Sequence, residues 1–119
     1  MLSDRTIRRL RDIIDDAARI GSFIEDMTLA EFVANERTLF AVERLLQRIT
    51  EAAIQIDRKD IEFVEPRLPF AQLRGLGNRL RHEYRDVDRG VVFEIARIEV
   101  PALAASAELI LESYATDDR

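Results

Sequence analysis

The chain has 119 residues, no cysteine and a net charge of −5. This length suits a single domain with one core over residues 1–119, and the lack of cysteine excludes disulfides and cysteine-ligated zinc. The acidic balance argues against broad, non-specific nucleic-acid binding, which depends on phosphate neutralisation. No apolar run approaches the ~18 residues that a membrane span needs.

The first part of the chain has the apolar spacing of an amphipathic helix. Its apolar residues recur at three- and four-residue steps: Leu10, Ile13, Ile14, Ala17, Ile20 and Ile24. Ser3 is placed to cap this helix, and Thr28 with Glu31 has the capping-box spacing, which predicts a second helix from about Leu29. Because charged N-terminal residues lead straight into the pattern, we expect no signal peptide and a cytoplasmic protein.

Helical spacing continues through the rest of the chain. The next stripe comprises Leu39, Val42, Leu45, Leu46, Ile49, Ala53 and Ile56. A break is predicted across 57–69, then a helix from about Phe70 to His82 with Pro69 in its first turn, and then a loop at 84–88. Pro101 is predicted to end or kink the last helical stretch. No period-two alternation occurs, so we predict an all-α, up-and-down bundle of about four to five helices.

The segment 73–84 holds the only histidine of the chain, His82, among several arginines. Histidine exchanges protons near neutral pH and arginine binds phosphate oxygens, so the combination favours phosphodiester chemistry. A histidine that only caps a helix or lies at the surface is the alternative, and spacing does not separate the two. On a helix, Asn78 and Arg79 share the face of His82, and Arg74 lies two turns earlier on roughly the same side.

Other patterns for metal or phosphate binding are absent from the sequence. Arg79 stands where a Glu-x-x-His di-metal motif needs glutamate, and Gly75 and Gly77 belong to no phosphate loop, so we predict no metal and no cofactor. Two glycines in a helix cost roughly 1.5–2 kcal/mol relative to alanine, which indicates a kink or a close approach by another chain. Glu51, in the small-residue stretch 50–53, is expected near another helix in a structural or supporting role. Three further carboxylates are interpreted as a solvated helix face: Asp12, Asp15 and Asp16.

The segment 78–88, NRLRHEYRDVD, closely resembles the signature of HepT-like HEPN-domain toxins, Arg-Asn-x-x-x-His-x-Tyr-x-x-x-Asp. Similar segments cover nearly the whole chain: Thr28–Phe32, Ala41–Arg44, Thr50–Ala53, Leu68–Phe70 and Pro101–Leu103. The resemblance implies a helical-bundle homodimer that acts as a metal-independent endoribonuclease on RNA. It also implies a toxin–antitoxin pair, in which an MntA-like nucleotidyltransferase antitoxin restrains the toxin.

The resemblance assigns roles to individual residues of the segment. His82 would be catalytic, Asn78 would be the polar residue after the motif arginine, and Tyr84 would receive AMP from the antitoxin. The sequence departs from the signature at the motif arginine, whose position is Gly77. Arg79, and after it Arg74, are the substitutes closest to His82, although neither has the family spacing.

The number of histidines bears on the mechanism. One histidine per chain supplies one proton-transfer group, so a homodimer would bring the second to a composite site. Gly77 keeps two other interpretations open. The chain would then be a catalytically weakened HEPN bundle that binds a nucleotidyltransferase, or a helical oligomerisation module whose arginines form a dimer face.

Overall fold

Every secondary-structure element in the described part of the chain is helical. The computed structural model describes residues 2–64, 68, 70–82 and 88–117, with the backbone alone at 70, 71, 81, 82 and 115–117. The α-helices are α1 (Asp4–Ile24), α2 (Leu29–Ala34), α3 (Glu36–Ile54), α4 (Ile61–Val64), α5 (Phe70–His82), α6 (Arg89–Glu94) and α7 (Val100–Asp117). A 3-10 turn at Arg58–Asp60 precedes α4, and a π-helical segment at Ile95–Glu99 joins α6 to α7. The predicted all-α fold is confirmed.

Side-chain caps start α1 and α2 where the sequence predicts them, and α3 has a further cap that is not predicted from the sequence. The Ser3 hydroxyl accepts a hydrogen bond from the Thr6 backbone N–H at 3.1 Å. Thr28 and Glu31 form the predicted capping box, with bonds of 3.1 and 3.2 Å. Asn35 caps α3 directly after α2 ends. Each cap satisfies backbone N–H groups that have no partner inside the helix.

The long helices bury the apolar stripes that the sequence shows. The buried residues of α1 include Leu10, Ile13, Ala17, Ile20 and Ile24, and those of α3 include Leu39, Val42, Leu45, Leu46 and Ile49. α1 packs against α3 on one side and α7 on the other, and α3 also packs against α5. α2 lies against α6, where the rings of Phe32 and Phe93 are 5.0 Å apart. The last turn of α5 is therefore positioned mainly by α3.

The predicted break at 57–69 holds short helical elements as well. The 3-10 turn and α4 follow α3 closely, and the buried Asp60 fixes the turn. Its carboxylate accepts hydrogen bonds from the Ser3 backbone N–H at 3.1 Å and from the Thr6 hydroxyl. These bonds tie the turn to the start of α1. A helix of four residues is too short to show apolar periodicity, which is why the sequence shows only a break.

The helical path continues past Pro101 instead of ending there. Pro101 is the second residue of α7, in its first turn, and the five-residue π-helical segment comes directly before that helix. The Val100 backbone N–H donates to the Ile95 carbonyl oxygen five residues back, so the π-helical segment interrupts the α-helical hydrogen bonds just before the residue that supplies no N–H. The wider π turn is the local distortion at this point. Among the helices described, none combines the length and apolar character that a bilayer crossing requires.

Candidate active site

Three of the predicted site residues lie on the exposed side of α5: Arg74, Asn78 and Arg79. Among the side chains of α5 that the structure describes, the buried ones are Leu73, Gly77 and Leu80, and the exposed ones are Gln72, Arg74, Gly75, Asn78 and Arg79. The helix ends at His82, four residues after Asn78 and three after Arg79. The helix register therefore places these two residues one turn before position 82. The side chain of His82 and the whole of Tyr84 lie outside the described residues.

A glutamine of α3 holds the last turn of α5. The Gln47 side-chain amide donates to the Leu80 carbonyl oxygen at 3.2 Å, and its side-chain oxygen accepts from Arg44 at 3.3 Å. Leu80 lies in the final turn, where carbonyl groups have no partner within the helix. Gln47 thus anchors the end of α5 two residues before His82. In the sequence it stands on the polar side of α3 and looks like an ordinary solvent-facing residue.

Glu43 is a half-buried carboxylate one turn before Gln47 on α3. Burial raises the pKa of the Glu43 carboxyl above its ordinary value, and the guanidinium of Arg89 lowers it in part. The charge of Arg89 links Glu43 to the start of α6, where the chain returns from the predicted catalytic segment. The helical spacing of Glu43, which is that of a surface residue, gives no sign of this burial.

The chain returns to the described residues at Asp88, which caps α6. Its carboxylate accepts from the backbone N–H groups of Gly90 at 2.7 Å and Val91 at 3.2 Å. Arg89 donates to the Val33 carbonyl oxygen at 2.9 Å and pairs with Glu36 at 3.4 Å. Asp88 corresponds to the last residue of the signature, and here it is a structural residue. The bonds of Arg89 fix this end of the segment on α2 and α3.

Glu51 lines an open, polar cavity of about 260 Å³ between α1 and α3. The other lining residues are Arg9, Asp12, Asp16, Arg48, Ala52 and Gln55. Glu51 is half-buried and lies one turn after Gln47. Glu51 thus lies near α1, across an open cavity that residues of both helices line, and its supporting role stays a prediction.

The interpretation of the α1 carboxylates as a solvated face is wrong for Asp16. This residue is only 2% exposed, and its two oxygens pair with Arg19 at 2.7 Å and with Arg48 at 3.1 Å. Asp16 borders the α1 apolar stripe closely enough to be covered by α3, and the two arginines offset its loss of water. Within the part of the chain that the structure describes, no group of three or more potential ligands is arranged to hold a metal ion.

The chain matches the family described as Ribonuclease HepT-like over residues 13–110, a range that includes α5 and the segment after it. The chain belongs to the HepT-like ribonuclease family. The family resemblance seen in the sequence is thereby confirmed.

Relatives in the HepT-like family cover most of the chain. Two proteins of Methanocaldococcus jannaschii, each named "Putative RNase", are 37% identical over 103 residues and 35% identical over 109 residues. The first alignment spans 87% of this chain and 88% of the relative, and the second spans 92% and 89%. A "Probable ribonuclease HepT" of Thermococcus cleftensis is 28% identical over 99 residues, 83% of this chain and 89% of the relative. No solved structure matched the chain.

The departure from the HepT-like signature lies on the buried side of α5. Gly77, at the position of the motif arginine, is buried, whereas Arg74 and Arg79 are exposed. Neither arginine therefore occupies the same place on the helix as the residue that the signature predicts. Arg79 is one turn from position 82 and Arg74 is about two turns away, so Arg79 remains the first substitute. The roles of His82, Asn78, Arg74, Arg79 and Tyr84 stay predictions.

Proposed function

We propose that this protein is a metal-independent endoribonuclease and the toxin of a toxin–antitoxin pair, acting in the cytoplasm as one HEPN-like domain. The observation that supports this most strongly is the family match over residues 13–110, which includes the α5 segment. On that helix, exposed Asn78 and Arg79 lie one turn before His82, where RNA has access to them.

The proposed chemistry uses the nucleophile that RNA itself carries. The 2′-hydroxyl attacks the adjacent phosphorus, a base takes its proton, and an acid protonates the leaving 5′-oxygen. The products are a 2′,3′-cyclic phosphate and a free 5′-hydroxyl. His82 supplies one proton-transfer group per chain, and His82 of a second copy in a homodimer supplies the other. Arg79, with Arg74 as the second choice, stabilises the charge on the phosphorane, and Asn78 orients the phosphate.

We propose that regulation acts through Tyr84, two residues after His82. An MntA-like nucleotidyltransferase antitoxin would transfer AMP to the Tyr84 hydroxyl and release pyrophosphate from ATP. The added phosphate places negative charge beside the arginines that bind RNA. Modified protein is then expected to bind RNA more weakly.

A second candidate function is a HEPN bundle that has lost activity and serves as a binding partner of the nucleotidyltransferase. Gly77 favours it, because the arginine expected to hold the scissile phosphate is absent at that position. The two functions differ in whether the free protein cleaves RNA.

An RNA-cleavage assay in EDTA separates the two candidates. Purified wild type is expected to cleave RNA and leave 2′,3′-cyclic phosphate ends, and His82→Ala, at a helix end, is expected to be folded and inactive. Product ends are read by treatment with a phosphatase, which does not remove a cyclic phosphate. Folded wild type that leaves RNA intact, yet binds a nucleotidyltransferase, would select the second function.

A further inference from the structure

The outward face of α3 carries five residues that recur at alternating steps of four and three. They are Phe40, Arg44, Gln47, Glu51 and Ile54, and we call them the α3 seam. None belongs to the buried core, since three are exposed and Gln47 and Glu51 are half-buried. This alternation is the spacing that brings side chains into line where two helices pack side by side.

The two ends of the α3 seam are apolar. Phe40 exposes 57% of its surface and Ile54 exposes 44%. Each lies seven residues from Gln47, on opposite sides of it. Single exposed apolar residues are ordinary on protein surfaces, so the significance of this pair depends on the charges between them.

The charges of the α3 seam are arranged to match a reversed copy of the same helix. Arg44 lies three residues before Gln47, and Glu51 lies four residues after it. In an antiparallel pair of α3 helices with a two-fold axis at Gln47, Arg44 faces Glu51 of the partner subunit, and Phe40 faces Ile54 of the partner subunit. A parallel pair would instead place like charges opposite each other, which is unfavourable. A two-fold axis requires such a self-complementary surface.

We propose that the α3 seam is the surface through which two copies of this chain form an antiparallel homodimer. This inference rests on the homodimer of the proposed function and names its interface residues. Each copy contributes the same face and covers one exposed phenylalanine and one exposed isoleucine of the other. Two Arg44–Glu51 contacts form per dimer.

The antiparallel α3 dimer also explains how two chains share one active site. Gln47, at the two-fold axis, donates to the Leu80 carbonyl oxygen at 3.2 Å, and His82 is two residues further along the chain. An axis at Gln47 therefore brings the ends of both α5 helices to the same part of the dimer. The half-buried Glu43 lies one turn from Gln47 on this side of α3. The end of each α5 thus gains the end of the partner subunit's α5 as its neighbour.

Charge reversal of the α3 seam tests the proposal without reference to catalysis. Arg44→Glu places the introduced glutamate opposite Glu51, and Glu51→Arg places the introduced arginine opposite Arg44, so each variant alone brings like charges together twice. Sedimentation velocity over a concentration series is expected to show a wild-type dimer. Each variant should dissociate at a concentration at least about tenfold higher, because attraction is replaced by repulsion. Arg8→Glu, the same charge change on the outward face of α1, is the control and should dimerise as wild type does.

The decisive experiment asks whether restoring opposite charges also restores the dimer. The double variant Arg44→Glu/Glu51→Arg restores opposite charges and should dimerise again. An equimolar mixture of the two single variants should form a heterodimer, because both of its contacts then join opposite charges. Ile54→Glu, at an exposed position, gives an independent disruption, and circular dichroism verifies that each variant is folded.

Several results would overturn the proposal. These are a monomeric wild type across the series, single variants that dimerise as wild type does, or a mixture that stays monomeric. Since mass is the readout, a dimer that fails to cleave RNA would refute the proposed ribonuclease and leave the α3 seam supported. If instead the protein cleaves RNA and these substitutions do not change its measured mass, the proposed ribonuclease is supported and the α3 seam is refuted.

Discussion

At the scale of single residues, Asp60 links the start of α1 to the turn after α3. Burial by itself would raise the pKa of the Asp60 carboxyl, but hydrogen bonds from the Thr6 hydroxyl and from Ser3 outweigh it and hold the pKa below its ordinary value. A carboxyl with a lower pKa in the folded than in the unfolded state stabilises the fold above its unfolded pKa. That stabilisation disappears as pH falls through the folded pKa.

Asp60→Asn is therefore expected to lower the free energy of unfolding at pH 7 by about 1–3 kcal/mol, since buried donors lose a charged acceptor. The difference from wild type should shrink as the pH is lowered through the folded pKa of Asp60. Urea unfolding at a series of pH values measures both effects. Asp15→Asn, on an exposed part of α1, is the control and should change little. A difference from wild type that stays constant down to acid pH would contradict the assignment.

Arg74 and Arg79, which are exposed on α5, lead to a second prediction at the residue scale. Arg79→Ala is expected to slow RNA cleavage by about 10²–10³-fold, the typical effect of removing one preorganised electrostatic contact. Arg74→Ala should have a smaller effect because it is a further turn from position 82. Rates are measured in EDTA with a single RNA substrate. Equal losses for both variants, or a larger loss for Arg74→Ala, would assign the phosphate contact differently.

At the scale of elements, apolar spacing and caps predict the long helices because both are local features. Ser3, Thr28 and Glu31 mark helix starts in the sequence, and the structure has caps at these residues. The turn at Asp60 and the burial of Asp16 depend on contacts between residues far apart in the chain, which local spacing does not contain. The contacts of Gln47 and Glu43 cannot be predicted from the sequence for the same reason, because their partners are on other elements.

The exposed glycines of α1 and α5 give a prediction about these two elements. A β-carbon added at Gly21 or at Gly75 would meet no atom within 4 Å, and neither residue has a positive φ. Alanine at either position should therefore raise the free energy of unfolding by about 1 kcal/mol, the difference in helix propensity. Thermal or urea unfolding measures the gain.

The RNA-cleavage rates of the two alanine variants test whether RNA or a second chain comes close to Gly75. Gly21→Ala should cleave RNA as wild type does. Gly75 lies seven residues before His82 on the same side of α5, so a close approach by RNA or by a second chain would make Gly75→Ala slower although more stable. Equal rates for both variants would show that no close approach occurs at Gly75.

At the scale of the whole molecule, a single chain offers only one histidine for a reaction that needs a base and an acid. The neighbour order of α1, α3 and α5 leaves the α3 seam facing outward beside the end of α5. A homodimer through the α3 seam supplies the second His82. The spacing of the α3 seam residues is visible in the sequence, but only the structure shows which face of α3 remains uncovered.

The measurement that tests this account most directly is RNA cleavage by heterodimers with a defined number of histidines. Mixing the Arg44→Glu and Glu51→Arg chains, with His82→Ala on neither, one or both, gives dimers with two, one or no His82. In EDTA, the dimer with two histidines should cleave RNA and the dimer with none should not. The dimer with one should be slower by about 10²-fold or more, the usual loss when a proton-transfer group is removed. Equal cleavage by the dimers with two and with no His82 would contradict the account.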